Sequence, residues 1–195
     1  MTRIIAGSAR GRRLKTPPGE ATRPTSDRVR EALFSTLESE LGSLTGLRFL
    51  DLYAGTGAVG LEAVSRGAGV LTAVESDRRT ARLVQQNATT LGFHKTEVLA
   101  TSVNRTLVRH PRAPYDVVFA DPPYPMENAE VEHVLALLVE HLWVAPGSLV
   151  VLERSARSVE PVWPAGLRLD RTKEYGETVL WYVRAESAGE SDQEE

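Results

Sequence analysis

The chain has 195 residues, 23 basic and 26 acidic, for a net charge of −3 and a hydrophobic fraction of 42%, which suits one soluble domain with a small appendage and a core of useful size. It has no cysteine, and its four histidines (His94, His110, His133, His141) are scattered; this excludes a disulfide framework and a thiolate nucleophile or metal site, and no metal is expected. No stretch approaches a membrane span and the N-terminus has no secretory leader pattern, so a cytoplasmic protein is expected.

Residues 1–24 are rich in Arg, Gly and Pro, with apolar patches only at Ile4-Ile5 and Leu14, and read as a basic hairpin or loose arm. Charge is concentrated here. Residues 1–30 hold eight basic side chains (Arg3, Arg10, Arg12, Arg13, Lys15, Arg23, Arg28, Arg30) against Glu20 and Asp27. A basic arm on an acidic body can attract phosphate locally, although a merely solvated terminus has the same composition. Thr25, Ser26 and Asp27 are candidate caps for a helix whose apolar stripe is Val29, Leu33, Leu37 and Leu41.

From Leu47 onward the pattern alternates. LRFLDLY predicts a buried strand, followed by a glycine-rich turn and a helix through Leu61 and Val64. VLTAVE predicts a second strand; Ala81, Val84, Ala88 and Leu91 mark a helix closed by Gly92. TEVLA is a third strand, SVNRTLVRH a short helix, DVVFAD a fourth strand, residues 127–142 an amphipathic helix, and Gly147 to Glu153 a fifth strand. RLDRTKEYGETVLWYV then gives two strands around Gly176 with no helix between them. The expected fold is α/β, a doubly wound and mostly parallel sheet ending in an antiparallel hairpin. The division expected is an arm over 1–24, the main domain over 25–184, and a disordered acidic tail over 185–195.

Two turns carry candidate chemistry. The first is Asp51-Leu-Tyr-Ala-Gly55-Thr-Gly57-Ala-Val-Gly60, between a strand and a helix N-terminus. A glycine pattern of this kind is weak by itself and fits a nicotinamide dinucleotide site too; Glu75, 20 residues beyond Gly55, could hold a ribose in either case. Asp51 shifts the balance. A carboxylate beside the turn is unwelcome next to a pyrophosphate but attracts the ammonium and sulfonium end of S-adenosylmethionine. Against both stands a purely architectural reading, with Asp51 capping the next helix and Glu75 a surface acid.

The second turn is Asp121-Pro122-Pro123-Tyr124, 70 residues after Asp51 and at the end of the fourth strand. Two prolines fix φ and remove two N–H groups, leaving a stiff turn with acceptors exposed. An exocyclic amine of a nucleobase is a poor nucleophile because its lone pair is delocalised. Asp121 and the carbonyl of Pro122 could accept its two N–H bonds and orient the nitrogen, while Tyr124 stacks on the base. A strand-ending turn with a buried tyrosine is the plainer reading.

Together these residues resemble Class I methyltransferases with an (Asn/Asp)-Pro-Pro-(Tyr/Phe) motif. More narrowly, RIIAGSARGRRLKTP, TRPTSDRVREALF, DLYAGTGAVGLEAVSRGA, DPPY and EYGETVLWYVR resemble the RsmD-type family over almost all of residues 3–184. The resemblance implies a Rossmann-like seven-stranded sheet with its last strand antiparallel. It implies a cofactor, S-adenosylmethionine, lined by Asp51, Tyr53, Gly55, Thr56, Gly57 and Glu75. It further implies a target base held by Asp121, Pro122, Pro123 and Tyr124. Many relatives place an Asp or Asn after the third strand against the adenine; here the stretch is Ala100-Thr101-Ser102-Val103, and Ser102 is the substitute. Arg10, Arg12, Arg13, Lys15, Arg23 and Arg28 become candidates for gripping RNA. The expected reaction is methyl transfer to guanine N2 of small-subunit ribosomal RNA, naked or in an assembling subunit, by a monomer. Alternatives are another DNA or RNA amino-methyltransferase, a protein glutamine methyltransferase, a silent RNA-binding module, and a nicotinamide oxidoreductase.

Overall fold

A computed structural model describes residues 2–17 and 26–187. Arg23 and the acidic tail beyond residue 187 lie outside the described residues. The elements are α1 (Asp27–Leu41), β1 (Arg48–Leu52), α2 (Ala58–Ser65), β2 (Val70–Val74), α3 (Arg78–Leu91), β3 (Thr96–Leu99), α4 (Val103–Leu107), β4 (Val117–Ala120), α5 (Asn128–Glu140), β5 (Leu149–Ser155), β6 (Leu167–Tyr175) and β7 (Thr178–Ala185). The sheet has seven strands in the order β3-β2-β1-β4-β5-β7-β6. β7 runs antiparallel to both neighbours, β5 and β6, so the expected sheet with its last strand reversed is the one observed. The chain divides into two compact units, Met1–Ser102 and Val103–Glu195.

In the first unit, β1, β2 and β3 pair in parallel. Phe49, Leu50, Leu52, Leu71, Ala73 and Val74 are fully buried, as expected of parallel strands covered on both faces. Ser26 caps α1 by accepting the Val29 N–H at 3.2 Å, and Asp77 caps α3 by accepting that of Thr80 at 2.8 Å. Gly92 closes α3 as expected, and it does so in the left-handed conformation.

Among the described residues, 2–14 of the N-terminal segment form a hairpin rather than a loose arm; residues 18–24 lie outside the described residues. Leu14 N–H donates to the Thr2 carbonyl at 2.9 Å, Ile4 N–H to Arg12 at 2.9 Å, and Gly11 N–H to Ile4 at 2.8 Å. Ile4, Ala9 and Leu14 are buried. The hairpin is bonded to α2 by side chains the sequence did not single out. Glu62 accepts the N–H groups of Ile5 (2.7 Å) and Ala6 (2.9 Å). Ser65 accepts the Ala9 N–H at 3.0 Å and donates to the Ala6 carbonyl at 2.6 Å. Arg30, on the buried face of α1, is 0% exposed; it donates to the Arg3 carbonyl and to Asp27 and stands 3.9 Å from Glu62. Burial lowers its pKa from the usual arginine value, opposed by Glu62 and Asp27. One of the eight cations counted toward a basic arm is therefore a core residue.

In the second unit, β4 pairs in parallel with β5, and the β6–β7 hairpin completes the sheet edge. All four residues of β4 are buried. The edge strand β6 carries a register irregularity between Leu169 and Arg171 and several exposed charges, both features that discourage further strand pairing. No helix among the described residues is long and apolar enough to cross a membrane.

Candidate active site

β1 ends at Leu52, and the chain turns at once. Tyr53 takes φ +61°, a left-handed conformation that costs a bulky side chain about 1–3 kcal/mol and that concentrates at functional sites. Gly55 and Gly57 follow at φ +54° and +78°, where glycine escapes that cost. A Cβ on Gly55 would meet nothing within 4 Å, so its side of the turn is open to a ligand. A Cβ on Gly57 would lie 2.7 Å from the Val84 side chain, so that glycine also serves packing against α3.

The two acids flank this turn and are hydrogen-bonded to it. Asp51 is 1% exposed and accepts the Gly60 N–H at 2.9 Å. α2 has glycine as its N-cap and no side-chain cap of its own, so Asp51 supplies an acceptor for its first turn. The capping reading of Asp51 is thus realised. Glu75 is half-buried; one oxygen accepts the Gly55 N–H at 2.9 Å and the other the Asp77 N–H at 2.8 Å. A carboxylate has about four lone-pair sites, so the two bonds leave acceptor capacity for a diol. Thr56 is fixed through its carbonyl, which accepts from Asn87 at 3.3 Å. Ser102 is half-buried at the end of the first unit.

The diproline turn closes β4 in the second unit. Asp121 is half-buried, Pro122 buried, and Pro123 exposed. The Pro123 carbonyl accepts the Met126 N–H at 2.9 Å, and the Met126 carbonyl accepts from Arg154 of β5 at 2.7 Å. Burial pushes the Asp121 carboxyl up to about 6, against the pull of the Arg154 charge. Tyr124 is 81% exposed, which removes the buried-tyrosine reading and leaves an aromatic face available for stacking. If ionised Asp121 is the working form, kcat/KM should fall about tenfold per pH unit below pH 6, since that ratio reports groups of the free enzyme. A profile flat down to pH 5 would remove Asp121 ionisation from the mechanism.

The remaining candidates lie on the hairpin and α1. Arg10 and Arg13 are exposed, as are Lys15 and Arg28. Arg12 is exposed, but its guanidinium donates to the Thr90 carbonyl at 2.7 Å, so part of its donor capacity is spent within the protein. Arg3 and Arg13 face each other across the hairpin and, with Gly11 and Asp27, line a cleft of about 400 Å³. Among the described residues no group of three or more His, Asp or Glu could hold a metal ion.

Comparison with known proteins matches residues 2–184 to the family model described as Conserved hypothetical protein 95. The chain is 35% identical over 190 residues to Ribosomal RNA small subunit methyltransferase D of Escherichia coli K12, covering 97% of this chain and 93% of that protein. It is 38% identical over 154 residues to the protein of the same name from Haemophilus influenzae, covering 77% of each. Among solved structures, yhhF from Escherichia coli superposes with a TM-score of 0.85 at 32% identity, covering 95% of this chain and 98% of that one.

Proposed function

Because the chain belongs to the RsmD family, we propose that this methyltransferase moves a methyl group from S-adenosylmethionine to guanine N2 of small-subunit ribosomal RNA. The observation that carries the reading is the rigid turn after β4, with a half-buried Asp121 and a Tyr124 that is 81% exposed. This pairs an acceptor for an amine with a stacking surface for a base.

When bound, S-adenosylmethionine supplies an electrophilic methyl on a sulfonium. In this proposal Asp51 attracts its charged end, Glu75 accepts from the ribose hydroxyls, and the backbone of Tyr53, Gly55, Thr56 and Gly57 shapes the bed. Ser102 takes the place that an Asp or Asn holds in many relatives. Asp121 and the Pro122 carbonyl accept the two hydrogens of the target amine and orient its lone pair. The negative charge of Asp121 would favour the positive charge that the amine gains on accepting a methyl group, and Asp121 or water would take the surplus proton.

The hairpin supplies the grip on RNA. Arg3 and Arg13 sit directly opposite on a two-stranded ribbon, an arrangement of like charges that costs stability and that Asp27, 3.8 Å from Arg3, relieves on one side only. A phosphate at this cleft would offset the cost, and Arg10, Lys15 and Arg28 extend the cationic surface; Arg23 lies outside the described residues. Arg10→Ala with Arg13→Ala should weaken RNA binding and reduce the slope of log affinity against log salt by roughly 1–2. An unchanged salt series would take the hairpin out of RNA binding. The proposed setting is the cytoplasm, with a single protomer sufficient.

The direct test is transfer of labelled methyl to naked small-subunit RNA and to whole subunits, followed by nucleoside mass spectrometry. The expected product is N2-methylguanosine. A methyl on adenine or on protein glutamine would overturn the substrate assignment.

A further inference from the structure

The basic hairpin and the glycine turn share one side chain. Asn87, on α3 and 3% exposed, accepts the Lys15 N–H on Oδ1 at 2.9 Å. Its Nδ2 donates to the Lys15 carbonyl at 3.1 Å and to the Thr56 carbonyl at 3.3 Å. One buried amide thus uses its oxygen and both of its N–H bonds on two segments 41 residues apart in sequence. One turn further along α3, the Thr90 carbonyl accepts from Arg12. The strand that leaves the hairpin is therefore stapled to α3 twice, once through the residue that also fixes the turn between Gly55 and Gly57.

We propose that Asn87 is a positioning residue that couples the hold of the basic hairpin on RNA to the hold of the glycine turn on the methyl donor. This rests on the reading above, in which the hairpin grips RNA and the turn holds S-adenosylmethionine. Phosphates engaging Arg13 and Lys15 fix the backbone at Lys15, which fixes the Asn87 amide and with it the Thr56 carbonyl. Ordering one segment lowers the entropy cost of ordering the other. Linkage requires the effect to be reciprocal, and couplings of this kind run from roughly 5- to 150-fold.

The experiment measures the affinity of S-adenosylhomocysteine by the wild-type enzyme, free and saturated with unmethylated small ribosomal subunits. The ratio of the two dissociation constants should be about tenfold for the wild type and fall to about one in Asn87→Ala. A residue that only fills a buried polar site would lower the melting temperature and weaken both affinities alike, leaving the ratio intact. Asn87→Asp keeps an acceptor for Lys15 but loses both donors, so it must also lose the ratio, and it serves if the alanine variant does not fold. Ser65→Ala loosens the hairpin at α2 without touching the glycine turn and should keep the ratio. A wild-type ratio of one, or a ratio that survives in Asn87→Ala or Asn87→Asp, overturns the coupling. No binding of S-adenosylhomocysteine by the wild type at all overturns instead the methyl-donor reading beneath it.

Discussion

Asp121→Ala should lower kcat by about 100- to 1,000-fold while leaving the affinity for S-adenosylhomocysteine within about threefold of wild type. The size is that of losing one preorganised electrostatic contact to a charge that develops in the transition state. The split between turnover and binding follows from the proposed roles, in which Asp51, Glu75 and the glycine turn hold the donor and Asp121 acts on the acceptor amine. Asp121→Asn sharpens the test. An amide keeps a carbonyl acceptor for the amine but has no charge and takes no proton, so part of the activity should persist and the acid limb near pH 6 should vanish. Single-turnover transfer measures the first quantity, calorimetry the second. Full activity in the alanine variant would remove Asp121 from the mechanism, and an equal collapse of cofactor affinity would make it a donor-site residue. The variant should fold well, since burial already disfavours the charge that it removes.

The parts of the molecule that the sequence makes legible are those written in short-range pattern. The parallel strands β1, β2 and β4 announce themselves as apolar runs because both faces are buried, and the β6–β7 hairpin because two strand patterns meet at Gly176. The site turns are legible because their chemistry is local: two prolines after a strand, or glycines after a strand and before a helix. The anchoring of the hairpin is not of this kind. Glu62 meets Ile5 and Ala6 across 57 and 56 residues, and Asn87 meets Lys15 across 72. Periodicity has no means to signal such pairings. Two faint marks are nonetheless present. Glu62 is the one acid within the apolar octapeptide AVGLEAVS of α2, and Arg30 falls on the stripe of Leu33, Phe34 and Leu37 instead of the polar face of α1. A charge out of phase with its helix is a candidate for a buried pair, and here the two charges belong to the same cluster.

That cluster sets the largest stability effect expected in the chain. Glu62 is 0% exposed and serves four partners: the N–H groups of Ile5 and Ala6, the Arg66 guanidinium at 2.9 Å, and Arg30 at 3.9 Å. Removing it leaves Asp27 alone to compensate the Arg30 guanidinium, which has zero exposure and whose Nε and Nη1 already have no hydrogen-bond partner, and leaves two amide N–H groups without an acceptor. Breaking a buried ion pair from one side costs about 3–5 kcal/mol, because the surviving charge keeps its desolvation penalty and loses its compensation. Glu62→Ala should therefore lose that much in urea unfolding, or roughly 10 °C in melting temperature for a chain of this size. Glu62→Gln, which keeps an acceptor for the hairpin amides but not the charge, should fall between. Hydrogen exchange at Ile5 and Ala6 locates the effect, since these amides should lose protection before the strands of the sheet do. A loss under 1 kcal/mol would mean that the buried Ile4, Ala9 and Leu14, with the bonds to Ser65 and Asn87, hold the hairpin without Glu62. The predicted outcome instead makes a buried carboxylate on the helix after the glycine turn the condition for presenting Arg3, Arg10 and Arg13 in a fixed array.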